Sequence, residues 1–298
     1  MQIGFVGLGV MGSRMLRHLV AAGHGATVYD IDRATLDRVA AENGAAAVDS
    51  PRAVAEASEI VITMLPNGHV VRDVVFGKDG LAAGFRPGAL LLDTSSAEPW
   101  ITREIAERLA AQGIEMVDAP VSGAEEGART ATLVFMVGGS DAAVARARVL
   151  LALMGREIFH LGPLGAGHTM KTINNLATAL TFLGTAEALM IGKSYGLNAR
   201  AMVDVLNVST GYSFVSQKRL GSDVITRKFE DQFKLDLMLK DMGIANQLAA
   251  ERELPVPMSV LGRDLWRRAV EELGEGSVTT EIVRWYERQM GFELKDEP

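Results

Sequence analysis

Short apolar runs alternate with helix-periodic segments through the first half of the chain. Between the runs, apolar residues lie three and four apart, as Met15, Leu16, Leu19 and Val20 do, which is typical of amphipathic helices. This alternation predicts β-α-β units and a parallel, doubly wound sheet, so we expect an α/β fold. The predicted strands are residues 3–6, 26–29, 60–65, 89–93, 115–118 and 133–137.

From residue 196 to the end of the chain, the periodicity is helical and no stretch has a convincing strand pattern. The second half therefore predicts an all-α domain. We place the boundary near the glycine-containing stretch 162–167, which gives domains of residues 1–163 and 164–298. The long predicted helices are residues 199–208, 215–225, 235–252, 258–272 and 280–290.

A further helix is predicted to start after Gly167, to end near Lys193 and to be apolar on most faces. Lys171 and Asn175 are four residues apart and share one of its faces. We expect His168, Thr178 and Phe182 to continue that face. We expect the other apolar residues to be core, namely Met170, Ile173, Leu176, Ala177 and Leu180.

Lys171 is the candidate acid/base. A lysine beside apolar turns loses part of its hydration, and this lowers its pKa towards the range useful for proton transfer. A surface lysine that happens to lie beside an asparagine is the alternative interpretation of the same residues.

A glycine-rich turn follows the first predicted strand and precedes a helix. This arrangement brings backbone N–H groups and the positive end of a helix onto a pyrophosphate. An acidic residue ends the second strand, where a carboxylate accepts hydrogen bonds from the adenosine ribose. The candidate residues of this dinucleotide site are Gly7, Gly9, Met11, Gly12 and Asp30.

The acidic residue also bears on the choice of cofactor. Asp30 repels a 2′-phosphate and Ile31 offers no positive charge to hold one, so NAD is favoured. Arg33 lies close enough to leave NADP as the alternative, although we interpret it as a solvated residue at a helix start.

Polar loops follow several predicted strands, at the edge of the sheet where ligands bind in open α/β folds. Asn67 and Ser95 in these loops are also ordinary turn or N-cap residues. A third loop carries Ser122 and Gly123, whose hydroxyl and backbone N–H groups suit a small carboxylate, with a plain loop as the alternative. The cofactor candidates in the first two loops are Leu65, Pro66, Asn67, Ser95 and Ser96.

Composition narrows the functional classes. A formal charge of −7 and a pI near 5.4 argue against nucleic acid or an anionic membrane as the main partner. Cysteine is absent and the five histidines are scattered, so we expect no disulfide and no metal site. The apolar stretch 176–192 is short and polar for a membrane span, and the first residues have no secretory pattern, so we expect a cytoplasmic protein.

Taken together and in this order, the motifs resemble the β-hydroxyacid dehydrogenase family, which includes 3-hydroxyisobutyrate dehydrogenases and tartronate semialdehyde reductases. The likeness covers essentially the whole chain, through the glycine turn, the strand-end loops and the stretches 118–123, 165–175 and 240–241. It implies an N-terminal Rossmann domain, an interdomain helix with a catalytic lysine at Lys171, and a helical domain that builds a homodimer or homotetramer.

The resemblance also assigns residues by position. It implies that Ser122, Gly123 and Asn175 bind the substrate and that Lys240 reaches the cofactor. Taken without the resemblance, the adjacent charges of Lys240 and Asp241 are typical of a solvated helix face.

Some positions depart from the family pattern. Ala124 and Ala131 stand where the family usually has glycine, and Ser96 stands where threonine is common. The stretch 274–278 lacks an acidic residue often found there. A methyl group at Ala124 narrows the expected carboxylate pocket or shifts its backbone, so the resemblance leaves the substrate open.

The implied activity is NAD-dependent interconversion of a short β-hydroxyacid and its semialdehyde by hydride transfer. A reductase of tartronate semialdehyde or sulfolactaldehyde uses the same residues in the opposite direction. An imine reductase and a non-catalytic NAD(P)-binding module are further alternatives, and Lys171 counts against both of them.

Overall fold

A computed structural model describes residues 1–296 of the protein. The chain forms two compact units, the first from Met1 to Lys171 and the second beginning at Thr172. One continuous helix, Ala166–Ser194, runs through the division between them. The domain boundary between residues 163 and 164 stays a prediction.

The first unit is built on a sheet of nine strands, in the order β3-β2-β1-β4-β5-β6-β8-β7 with β9 paired to β8. The first six strands are parallel, and β8 runs antiparallel to β6 and β7. The α/β, doubly wound prediction is confirmed. The strands are β1 Gln2–Val6, β2 Gly25–Tyr29, β3 Ala46–Ala47, β4 Ile60–Thr63, β5 Leu90–Asp93, β6 Glu115–Asp118, β7 Val121–Ser122, β8 Leu133–Gly138 and β9 Gly155–Gly162.

Strand order reverses between β1 and β4, which is the position where open α/β sheets form their ligand crevice. Side chains of these buried strands alternate between two cores. Phe5 contributes to the core on one face of the sheet, and Val6 and Val61 contribute to the core on the other.

The helices of the first unit precede or follow these strands, and the second unit is helical apart from its connecting segments. They are α1 Val10–Ala21, α2 Arg33–Asn43, α3 Pro51–Glu56, α4 Gly68–Phe76, α5 Pro99–Ala110, α6 Ala124–Thr130, α7 Asp141–Leu151, α8 Ala166–Ser194, α9 Ala199–Asn207, α10 Leu235–Ala250, α11 Pro257–Leu273 and α12 Ile282–Met290. The predicted helix at 215–225 is a π-helix, Ser216–Val224, and single 3₁₀ turns occur at Leu81–Ala83 and Thr279–Glu281.

Three strands were missed by the sequence pattern. Strands β3 and β7 have two residues each, too few to establish a period. Strand β9 pairs in parallel with β8, but most of its side chains are exposed, including Phe159 and Leu161, so it lacks the apolar run of a buried strand.

Phe182, which we expected to continue the face of Lys171 and Asn175, is buried, as Asn175 is, and packs edge-on against Trp266 with ring centroids 6.3 Å apart. Two predictions about the core of α8 were wrong. Ile173, which we expected in the core, is 49% exposed, and Ala177 is exposed as well.

Helix α8 is long and apolar enough to cross a bilayer by length and composition alone. The core helices of soluble proteins meet the same two criteria.

Candidate active site

Two glycines near the end of β1, Gly7 in the turn and Gly12 in the first turn of α1, occupy positions that have no room for a side chain. Gly7 has φ +93°, and a Cβ atom there would lie 2.3 Å from the carbonyl oxygen of Met64. A Cβ atom on Gly12 would lie 1.9 Å from the carbonyl oxygen of Gly7. Gly9 is the exposed N-cap of α1, no side chain caps it, and the first turn contains no acidic residue. The positive end of α1 is therefore suited to a phosphate, and the half-buried Met11 lies in that first turn.

Asp30 closes this turn from the end of β2. Its Oδ2 atom accepts a hydrogen bond from the Leu8 N–H at 2.6 Å, and its Oδ1 atom accepts one from the Asp32 N–H at 2.9 Å. Arg33, the first residue of α2, instead donates hydrogen bonds to the carboxylates of Asp37 and Asp49. These two carboxylates hold the guanidinium that was the candidate for a 2′-phosphate, which fits the preference for NAD.

The loops after β4 and β5 use their polar side chains to fix their own backbone. Asn67 is the N-cap of α4 and accepts from the Val70 N–H at 2.9 Å. The hydroxyl of Ser95, which is fully buried, accepts from the Leu65 N–H at 2.9 Å. Pro66, which precedes Asn67, is exposed, and Ser96, which follows Ser95, is half-buried. The cofactor contacts of these residues stay predictions.

The loop that carries Ser122 adjoins the dinucleotide helix. Ser122 is half-buried at the end of β7, and Gly123 is exposed with φ +131°. The next helix, α6, is joined to α1 by an ion pair between Arg14 and Glu125. The candidate carboxylate loop and the glycine turn therefore lie at one end of the first unit.

Ala124 and Ala131, which we expected to stand at positions usually occupied by glycine, adopt left-handed backbone conformations. Ala124, the first residue of α6, has φ +52°, and Ala131, its C-cap, has φ +55°. Both positions have a backbone conformation that favours glycine. Each position retains a strain that glycine would not have.

The start of α8 is held against the sheet edge. Asp118, at the end of β6, accepts hydrogen bonds from the N–H groups of Gly165 and His168, both at 2.7 Å. A Cβ atom on Gly167 would lie 2.2 Å from the carbonyl oxygen of Met136, so the close approach requires glycine. Lys171 follows on the next turn and is half-buried.

The helices of the second unit place two more predicted residues in one network. Asn175 is buried and donates to Asp241 Oδ2 at 2.5 Å, while Asp241 Oδ1 lies 3.2 Å from Lys240 Nζ. The expectation of a solvated face at positions 240 and 241 was wrong, because Asp241 is 1% exposed. Sequence reasoning missed this carboxylate, although a buried asparagine amide requires an acceptor.

Within residues 1–296, no group of three or more His, Cys, Asp or Glu side chains is arranged to hold a metal ion.

The predicted site residues are divided between the two units. The first unit contains Ser122, Gly123, Lys171 and the dinucleotide residues, and the second contains Asn175 and Lys240.

Two family models cover most of the chain. One is described as the NAD binding domain of 6-phosphogluconate dehydrogenase and matches residues 2–162. The other is described as NAD-binding of NADP-dependent 3-hydroxyisobutyrate dehydrogenase and matches residues 165–286.

Curated relatives and solved structures agree with these models. The chain is 34% identical to the 2-(hydroxymethyl)glutarate dehydrogenase of Eubacterium barkeri, over 95% of this chain and 94% of the relative. It is 36% identical to the NAD-dependent L-serine dehydrogenase of Pseudomonas aeruginosa, over 91% and 93% respectively. The structure of Mycobacterium tuberculosis 3-hydroxyisobutyrate dehydrogenase with L-serine matches with a TM-score of 0.87 and 30% identity, over 96% and 98% of the two chains. The chain therefore belongs to the β-hydroxyacid dehydrogenase family, whose members are NAD(P)-dependent oxidoreductases that act on CH–OH groups.

Proposed function

We propose that the protein interconverts a short β-hydroxyacid and its semialdehyde, with NAD as the favoured cofactor and Lys171 as the acid/base. The observation that carries this proposal is the attachment of α8 to the sheet edge by Asp118, which fixes the turn before Lys171. A lysine on a helix anchored in this way occupies a defined position, as a proton-transfer group must.

The residues present fit a dinucleotide. A side chain at Gly7 or Gly12 would clash with the backbone. Gly9 lies at the N-terminus of α1, which has no side-chain cap and can receive the pyrophosphate, and Asp30 suits the ribose hydroxyls. A dinucleotide held by these residues would supply a hydride acceptor for the carbon that bears the hydroxyl group, or a hydride donor in the reverse direction.

The chain supplies the proton chemistry and the orientation. Lys171 takes the proton of the substrate hydroxyl during oxidation and gives one to the carbonyl oxygen during reduction. Ser122 and the backbone of Gly123 hold the substrate carboxylate, and Asn175 orients the substrate. The same residues serve both directions, so the reductase activity expected for an aldehyde substrate is the reverse of this reaction.

The names of the relatives narrow the substrate class. 2-(Hydroxymethyl)glutarate, L-serine and 3-hydroxyisobutyrate each have a hydroxymethyl group on the carbon next to a carboxylate. We therefore favour a substrate with this arrangement, in which the carboxylate lies at a fixed distance from the alcohol that reacts.

The assembly we propose is a homodimer or homotetramer. Helix α8 leaves one apolar face exposed, and a second copy of the chain is the partner that would cover it. The exposed face consists of Ile173, Ala177, Gly184, Ala188 and Ile191.

We also propose that the enzyme is cytoplasmic, as the sequence predicts.

Initial rates of NADH or NADPH formation across a panel of acids test the activity. The panel is 3-hydroxyisobutyrate, 3-hydroxypropionate, glycerate, L-serine, L-threonate, sulfolactate and 2-(hydroxymethyl)glutarate, each with NAD and with NADP. We expect one acid with a hydroxymethyl group to be oxidised faster with NAD. No oxidation of any acid, with NADH still bound, would reject the proposed reaction and make imine reduction the next assay.

A further inference from the structure

His168 lies where three structural elements of the first unit meet, and the proposed chemistry makes no use of it. Its side chain is fully buried on the first turn of α8. Ring atom Nδ1 lies 2.7 Å from Thr102 Oγ1 on α5, and Nε2 lies 3.1 Å from the carbonyl oxygen of Ser95 after β5. A buried imidazole with a partner on each nitrogen has a fixed orientation.

The partners define which nitrogen carries a proton. A carbonyl oxygen can only accept, so Nε2 of His168 donates to Ser95. Thr102 Oγ1 lies 3.2 Å from the carbonyl oxygen of Glu98 and can serve Nδ1 either as donor or as acceptor. The contact between His168 and Ser95 therefore requires a protonated Nε2 in either case.

Ser95 in turn holds the preceding strand end. Its hydroxyl accepts from the Leu65 N–H at 2.9 Å, while the backbone N–H of His168 donates to Asp118. The carboxyl ends of β4, β5 and β6 are thus connected through His168 to the first turn of α8. Lys171 lies three residues further along that helix, about 4.5 Å along its axis.

Two buried carboxylates flank the ring. Asp93 Oδ2 lies 3.7 Å from Nε2, and Asp118 Oδ2 lies 3.7 Å from Nδ1. Asp93 Oδ2 has no other polar partner among the described residues. The imidazole therefore separates two buried carboxylates, and an apolar side chain in its place would leave them without a polar neighbour between them.

We propose that His168 is a positioning residue for the reaction. Its Nε2–H group donates a hydrogen bond to Ser95. This bond sets the position of Lys171 relative to the carboxyl ends of β4 and β5, where the cofactor is proposed to bind. Because its side chain is fully buried, it acts through Ser95 and Lys171 rather than by direct contact with substrate or cofactor. The inference rests on the proposed function, because it concerns the placement of the proposed acid/base.

The test compares His168→Gln with His168→Leu. Glutamine has the same number of bonds from Cβ to its amide nitrogen as histidine has to Nε2, so it can keep the donor to Ser95, whereas leucine cannot. We expect His168→Leu to lower kcat about 10- to 100-fold at saturating acid and NAD, since a small misplacement of a catalytic group has an effect of that size. We expect His168→Gln to recover most of that loss, with both KM values within about threefold of wild type.

Val39→Ala is the matched control for stability. Val39 is fully buried on α2 and takes no part in this network. It should lower the melting temperature without lowering kcat at a temperature where the enzyme is folded. Wild-type kcat in His168→Leu, or His168→Gln as slow as His168→Leu, would overturn the proposal.

The ring itself gives a readout that needs neither turnover nor a folded variant. Long-range ¹H–¹⁵N correlation spectra of the wild-type enzyme should assign a proton to Nε2 of His168 near pH 7, and an unprotonated Nε2 would overturn the proposal. Failure of the proposed function has a different result, because wild type would then oxidise no acid in the panel while the spectrum remained as expected.

Discussion

Asn175 donates its side-chain N–H to Asp241 Oδ2 at 2.5 Å, and both side chains are buried in the second unit. Asp241 also lies beside Lys240, so one carboxylate fixes an amide proposed to orient the substrate and an ammonium proposed to reach the cofactor. Neither proposed binding residue is placed by its backbone alone.

Asp241→Asn should therefore impair catalysis. The carboxamide removes the charge that holds Lys240 and weakens the acceptor for Asn175, and hydrogen bonds to charged groups contribute about 1.5–3 kcal/mol. We expect kcat/KM for the acid to fall about 10- to 100-fold, which is that free energy expressed as a rate ratio. Steady-state kinetics measures the effect.

Asp236→Asn is the control for this prediction, because Asp236 is an exposed residue in the first turn of the same helix. It should leave kcat/KM unchanged. Equal kinetics for Asp241→Asn and wild type would show that the buried carboxylate does not position the proposed binding residues.

The contact between Asn175 and Asp241 is an example of what the sequence alone does not predict. The glycine turn, Asp30 and the parallel strands were predictable because each depends on local pattern or on backbone space. The burial of Asp241 was not, because it depends on Asn175, sixty-six residues away in the chain. The role of Ser95 was equally hidden, since its hydroxyl serves the Leu65 backbone thirty residues earlier. Contacts of this kind follow from the tertiary fold and leave no period in the sequence.

Ala131→Gly should stabilise the protein. Ala131 caps the end of α6 with φ +55°, a conformation that costs alanine about 1–2 kcal/mol. Glycine removes that cost but adds entropy to the unfolded chain, so the expected net gain is about 0.5–1 kcal/mol. The midpoint of urea unfolding should rise accordingly.

Ala111→Gly provides the comparison, because Ala111 caps α5 with an ordinary φ of −61°. There glycine relieves no strain, and we expect no gain in stability. If the urea midpoint of Ala131→Gly is no higher than that of wild type, the backbone of Ala131 is not strained.

Tyr286 should make the stability of the second unit depend on alkaline pH. Burial and the hydrogen bond to Glu187, 2.9 Å long, raise the pKa of its phenol well above the ordinary value. The folded protein therefore keeps this proton where the unfolded chain releases it, above about pH 10. The stabilisation is complete below that pH and is lost as the pH rises further.

Urea unfolding of wild type and Tyr286→Phe at pH 8 and pH 11 tests this sign. We expect the advantage of wild type to be smaller at pH 11. Tyr195→Phe, at a residue that is 84% exposed, is the control. An advantage that grows with pH would refute the assigned direction.

Ile191→Glu should dissociate the proposed oligomer. Ile191 is 61% exposed on the apolar face of α8, and a carboxylate buried there by a second copy would lack a partner. Light scattering after size exclusion should report a smaller particle than wild type. Val149→Glu alters a similarly exposed residue of α7 in the first unit and should leave the mass unchanged. A wild-type mass for Ile191→Glu would place the interface elsewhere.

Lys171 is proposed to transfer the proton of the substrate hydroxyl, and the turnover of Lys171→Met measures that role. The measurement is turnover of the best acid with NAD, together with NADH binding followed by fluorescence, and with Lys193→Met in the last turn of α8 as the control. We predict that Lys171→Met lowers turnover about 10²- to 10⁴-fold, the usual scale of acid/base catalysis, while NADH still binds. Full turnover in Lys171→Met would rule out Lys171 as the acid/base.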